Sequence, residues 1–144
     1  MQNTESRYDP RNTLNDLTGK EWLKLTKSFF LSEKCADDKA AFAHPAPFLI
    51  KDIEKMISLF TKKGMKVLDP FMGSGTTAIA AYNLGRKSIG IDLSSKYKQL
   101  AESRFAKKSM KKNIDYEYIL GDSLEVLKNI DPVDYIITSP PYHN

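Results

Sequence analysis

Between Gly64 and Thr138 the sequence changes repeatedly from short apolar runs to helical periodicity, and this alternation restricts the fold more than any other feature. Lys66-Val67-Leu68-Asp69 reads as a short buried strand. It leads through the turn Gly73-Ser74-Gly75 into a helix over 76–84 that stops at Gly85. Ser88-Ile89-Gly90-Ile91-Asp92 is a second strand, followed by a long basic helix over 95–110. A third strand over 116–120 ends at Gly121-Asp122, with Ser123 as the expected cap of a helix over 124–130. A fourth strand over 133–138 delivers Ser139-Pro140-Pro141-Tyr142 at its carboxyl end. Strands joined by single helices pair in parallel through right-handed crossovers, so the expected class is α/β, about four parallel strands with helices on both faces. Ligands of such sheets sit outside the carboxyl ends of the strands.

The first fifteen or so residues are polar and expected to be loose. Thr18 is placed to cap a short helix over 19–30, with Trp22, Leu23, Leu25, Phe29 and Phe30 as its apolar stripe, and 34–43 reads as a loop. His44-Pro45-Ala46-Pro47-Phe48 is fixed by its two prolines. It runs into an amphipathic helix carrying Leu49, Ile50, Ile53, Met56, Ile57 and Phe60. Two parts follow: an N-terminal extension over 1–43, and a ligand-binding and loop-bearing part over 44–144. With 41% hydrophobic and 28% charged residues the chain is globular rather than disordered. A single cysteine excludes an internal disulfide, and one cysteine with two histidines gives no convincing zinc set, so no metal is expected. No signal sequence or membrane-spanning run is visible, which makes the cytoplasm the default expectation. The net charge of +4 suits a polyanionic partner without requiring one.

Asp69-Pro70-Phe71-Met72-Gly73-Ser74-Gly75-Thr76-Thr77 is the first candidate site. Its glycines let the backbone approach a ligand closely, and the helix that starts at Thr76 offers unpaired N–H groups to an anion. The lysine of a Walker loop is absent and the third glycine of a dinucleotide fingerprint is missing. A tight packing turn is the plainer alternative. Asp92, about twenty residues on and followed by Leu93, is placed to accept both hydroxyls of a ribose. Asp122, beside Ser123, is placed to accept from an adenine amino group. For both acids helix capping is the alternative reading. Turn, ribose acid and adenine acid on successive strands suit a nucleoside with a small anionic tail, such as S-adenosylmethionine.

Thr138-Ser139-Pro140-Pro141-Tyr142 is the second site. Two prolines end the strand ladder and hold a hydroxyl and a carbonyl in fixed directions beside an aromatic ring. An exocyclic amine on a base is a poor nucleophile, because its lone pair is drawn into the ring. Acceptance of its two N–H groups by the Ser139 hydroxyl and the Pro140 carbonyl would turn that lone pair toward an in-line methyl donor. Tyr142 would stack on a base flipped from the duplex. A strand-ending turn with a packed tyrosine is the alternative.

These motifs resemble the DNA amino-methyltransferases, the N4-cytosine and N6-adenine enzymes of restriction–modification systems. DPFMGSGTT resembles their S-adenosylmethionine loop, GID their ribose strand, GDS their adenine-contact strand and TSPPY their catalytic loop. HPAPF resembles the segment that closes over the methionine end of the cofactor, which nominates His44 and Phe48. The resemblance covers roughly 44–142. It implies a partial Rossmann-like methyltransferase fold, Asp69, Pro70, Phe71, Gly73, Ser74, Gly75 and Thr76 at the cofactor, and catalysis by Ser139, Pro140, Pro141 and Tyr142. An SPPY loop leans toward N4 of cytosine in double-stranded DNA. Members of the family continue with three further strands and a target-recognition region. The chain is therefore expected to need a following segment or a second polypeptide, to self-associate through its open sheet edge, and not to methylate DNA alone. Lys96, Lys98, Arg104, Lys107, Lys108, Lys111 and Lys112 are expected to form a solvated helix face. An RNA or protein-amide methyltransferase, or a non-catalytic cofactor-binding module, are the rival functions.

Overall fold

The computed structural model describes residues 8–141. Tyr142, with its expected stacking role, lies outside the described residues. Four strands, β1 (Lys66–Asp69), β2 (Lys87–Asp92), β3 (Tyr116–Leu120) and β4 (Tyr135–Ile136), form one sheet in the order β3-β2-β1-β4. Every pairing in it is parallel. α3 (Thr76–Asn83) joins β1 to β2, and α4 (Ser95–Lys107) joins β2 to β3. Both crossovers step in the same direction, so right-handedness puts both helices on one face. There Val67, Ala78, Ile79, Ala101, Phe105, Tyr116 and Tyr118 pack with Ile50, Ile53 and Ile57 of α2 (Ile50–Phe60) in the main core. The return from β3 to β4 lies on the other face. There Leu68, Ile89 and Ile91 pack against Ile119, Val126, Ile130 and Val133.

Several elements depart from the sequence reading. α1 spans Gly19–Leu25 rather than 19–30. Thr18 does cap it, in a reciprocal capping box with Glu21, but Thr26 bonds back to the Trp22 carbonyl and closes the helix. No residue of α1 is buried, and Leu23, Phe29 and Phe30 are exposed, so the expected stripe has no core to enter. The segment read as a loop contains a 3-10 helix, Ala36–Ala43. The buried Asp38 carboxylate organises it, accepting from the N–H groups of Cys35 (2.7 Å) and Ile50 (3.0 Å). Residues 1–7 of the segment expected to be loose lie outside the described residues, while its described part, 8–15, is tied down at its end. Asn15 is buried and donates to Leu59 O (2.8 Å), satisfying a carbonyl at the end of α2.

α4 ends at Lys107, not at 110, because Ser109 takes a left-handed conformation (φ 56°) that turns Met110 into the core. The helix expected over 124–130 divides into α5 (Ser123–Val126) and a 3-10 turn, Leu127–Asn129. Asp122, not Ser123, is its cap, accepting from Leu124 N at 2.8 Å. β4 is only two residues long, paired through Val67↔Tyr135 and Leu68↔Ile136.

Candidate functional site

β2 and β3 lie on one side of β1 and β4 on the other, so the chain reverses its direction of travel between β1 and β4. A crevice outside the strand ends is expected at such a switch point. A cavity of about 450 Å³ sits there, within the roughly 300–1,000 Å³ usual for small-molecule sites. Its walls come from His44 to Phe48, from Phe71 to Ser74 with Thr76, from Asp92, Leu93 and Tyr97, from Asp122 and Ser123, and from Ser139, Pro140 and Pro141. Motifs spread over nearly a hundred residues of chain thus meet at one crevice.

The glycine turn is held from several directions. Gly73 N–H donates to Asp92 (2.9 Å), and the Gly73 carbonyl accepts from the Tyr118 hydroxyl (2.7 Å). Gly75 N–H donates to Met72 O (3.1 Å), and the Ser74 carbonyl accepts from Arg104 (2.7 Å). Burial, with the Asp92 and Asp69 carboxylates nearby, pushes the Tyr118 hydroxyl far above its ordinary value and keeps it a donor. Gly75 sits at φ 84° just before α3, and a Cβ there would lie 2.6 Å from the Phe105 ring. Only glycine meets both conditions.

Asp92 does two jobs at once. One oxygen accepts Gly73 N–H and the other accepts Ser94 N–H (2.9 Å). The cap of α4 itself is the Ser94 side chain, so the capping alternative describes Asp92 only in part. A carboxylate has about four lone-pair sites, so acceptor capacity remains on the cavity wall. Asp122 caps α5 through one oxygen and also lines the cavity. The exposed Leu93 side chain adds an apolar surface to the same wall.

Three of the nominated residues support the cavity without lining it: Asp69, Pro70 and Gly75. Asp69 is buried at the end of β1. Its oxygens accept from Phe71 N–H (3.0 Å), Thr77 Oγ1 (2.6 Å) and Thr138 Oγ1 (2.7 Å). It therefore ties the glycine turn, the first turn of α3 and the residue before Ser139 into one unit. Burial pushes its carboxyl above the ordinary carboxylate value, and the three donors offset part of that. The Pro70 carbonyl accepts from the Ser123 hydroxyl, linking the same turn to α5.

Residues that sequence reasoning missed surround this unit. Tyr97 lies 4.4 Å from the His44 ring, centroid to centroid, and both line the cavity. The expected solvated face holds for Lys96, Lys107, Lys111 and Lys112, which are exposed, but Lys98 and Lys108 are half-buried in ion pairs with Glu102 and Asp37, and Arg104 is buried against Ser74 and Thr76. Its i−3, i+3 and i+4 relation to Ala101, Lys107 and Lys108 carries no signal of a target some thirty residues upstream.

A parallel sheet of this order, with a glycine turn and acidic strand ends around one crevice, defines a partial Rossmann-like methyltransferase fold. The crystal structure of TrmN from Thermus thermophilus superposes with a TM-score of 0.62 at 25% identity, over 78% of this chain and 35% of that one. Residues 2–103 match the DNA methylase family N6_N4_Mtase, and the chain belongs to that family. The matched stretch includes the segment before His44 and ends before Ser139. Among curated relatives, the type II methyltransferase M2.DpnII of Streptococcus pneumoniae is 40% identical over 97 residues, 67% of this chain and 34% of that protein. The type II methyltransferase M.BglI of Bacillus subtilis is 37% identical over 108 residues, 73% of this chain and 27% of that protein. The chain thus spans about a third of the length of these relatives or less. Among the described residues no group of His, Cys, Asp and Glu is arranged to hold a metal ion, and no helix is long and apolar enough to cross a membrane.

Proposed function

We propose that this chain forms the cofactor-binding and catalytic-loop part of a DNA methyltransferase that modifies the exocyclic amine of a base, N4 of cytosine, within a restriction–modification system. S-adenosylmethionine is the cofactor that supplies the methyl group. The observation that carries this reading is the shared cavity: the glycine turn and Ser139-Pro140-Pro141 line the same crevice, and Asp69 joins the bases of both loops. Asp92 accepts the ribose hydroxyls, Asp122 accepts the adenine amino group and Leu93 packs on the adenine ring. His44 and Phe48 stand at the amino-acid end. The Ser139 hydroxyl and the Pro140 carbonyl accept the two N–H groups of the target amine and orient its lone pair. Holding the reacting atoms in line is where most of the acceleration arises.

Double-stranded DNA is the substrate. The exposed Ile136 on a strand with only two paired positions supports a further partner for β4, from additional chain or a second polypeptide, that completes the wall around the flipped base.

The test compares Ser139→Ala with the wild type, supplemented with that partner where the chain alone is inactive. Methyl transfer to unmodified DNA should fall at least ~100-fold, as when a transition-state contact is lost, with S-adenosylmethionine affinity unchanged. Nucleoside analysis of the product assigns the base, and N6-methyladenine would overturn the cytosine assignment. Near-normal turnover in Ser139→Ala would reduce the loop to a structural turn.

A further inference from the structure

Arg104 lies outside the cavity and is 3% exposed, yet it reaches two residues that form the cavity wall. Its Nη1 donates to the Ser74 carbonyl (2.7 Å), to Ser74 Oγ (3.3 Å) and to Thr76 Oγ1 (3.0 Å). Its Nη2 donates to the Asp37 carbonyl in the 3-10 helix (3.1 Å). A buried guanidinium is costly and persists only where acceptors and carboxylates surround it. Here Asp37 and Asp38 supply the opposing charge. Its two terminal nitrogens serve separate partners, Nη1 the turn and the start of α3 and Nη2 the Asp37 carbonyl, a span that a single ammonium cannot cover at once.

The peptide groups of the turn show what this achieves. Tyr118 draws the Gly73 carbonyl toward β3, and Arg104 draws the Ser74 carbonyl toward α4. No peptide in the described chain is cis. In a trans peptide the N–H points opposite to the carbonyl, so the Ser74 N–H is turned away from Tyr118. The Gly75 N–H is held by the Met72 carbonyl and the Gly73 N–H by Asp92, so the groups the turn leaves for a ligand are the Ser74 N–H and the start of α3, with both nearby carbonyls withdrawn and the arginine charge behind them.

We propose that Arg104 is a positioning residue for the cofactor: it fixes the Ser74 peptide and the start of α3 in the orientation that receives the anionic amino-acid tail. This rests on the cofactor reading above, but the loop-holding part can be measured without any ligand. In the unliganded full chain, Arg104→Met should raise backbone amide exchange at 73–76 about tenfold or more, with the amides of β2 and β3 unchanged. Calorimetry should show an affinity loss of about tenfold or more for S-adenosylhomocysteine and a clearly smaller loss for adenosine, which lacks the tail. Added methylguanidinium should restore part of the S-adenosylhomocysteine affinity. Arg104→Lys, which keeps the buried charge, should not match the wild type. Unchanged exchange at 73–76 overturns the proposal. So do equal losses for the two ligands, or full affinity in Arg104→Lys. A wild-type chain that binds neither ligand overturns the cofactor reading and the tail-orienting role with it, while the exchange result still decides whether Arg104 holds the turn.

Discussion

Asp69 is a carboxylate enclosed by donors rather than by countercharge, and its titration should be visible in the stability of the protein. Burial holds its folded pKa above the ordinary 3.8. From about pH 4 upward to that raised value the folded chain therefore binds more protons here than the unfolded chain, and the contribution of this group to stability falls as pH rises. Asp69→Asn can keep all three contacts, because the amide oxygen accepts from Phe71 N–H and Thr138 while the amide nitrogen donates to Thr77. Denaturant unfolding across that window should show the variant gaining on the wild type as pH climbs. A constant difference would mean that the carboxyl titrates normally. The position of Asp69 in a DPF motif is legible in the sequence, whereas its bond to Thr138 is not. The two are 69 residues apart, and only the β1–β4 pairing brings them together.

The unit β1–turn–α3 depends on the absence of a side chain at Gly75, where a left-handed backbone coincides with contact to Phe105 and Ala101 of α4. Gly75→Ala should destabilise the chain by about 2–4 kcal/mol, adding the left-handed penalty to overpacking. Denaturant midpoints at constant m-value measure it, and a loss under about 1 kcal/mol would show that α4 yields easily. This unit was readable because its signals are local: an apolar run, two glycines, then small helix formers. The bounds of β1 and β3 follow from the same kind of signal. α1 was overextended because a periodic stripe does not reveal whether a core exists to receive it. The 3-10 helix went unseen because the buried Asp38 organises it by bonding to Ile50, twelve residues away. Arg104 is hidden in a run of lysines, of which Lys96 and Lys107 do face solvent.

At the scale of the whole molecule the two faces and two edges of the sheet are unequal. α2, α3 and α4 bury one face deeply, while α5 and a single 3-10 turn cover the other, leaving Leu124 and Ile136 exposed. β4 is also an edge strand, and an unpaired edge beside exposed apolar side chains templates association. The purified chain should self-associate with rising concentration in sedimentation experiments, and Ile136→Lys should suppress this without lowering the thermal midpoint. Identical sedimentation of the two forms would place any association elsewhere.

The strand order also bears on synthesis. β1, β2 and β3 are successive in the chain and adjacent in space, so the part of the crevice that they carry can assemble as each crossover leaves the ribosome. β4 docks on the opposite side of β1 and closes the longest loop of the sheet, which makes it the last and slowest contact to form. The nascent chain can thus form the glycine-turn side of the crevice before Ser139-Pro140-Pro141 is in place.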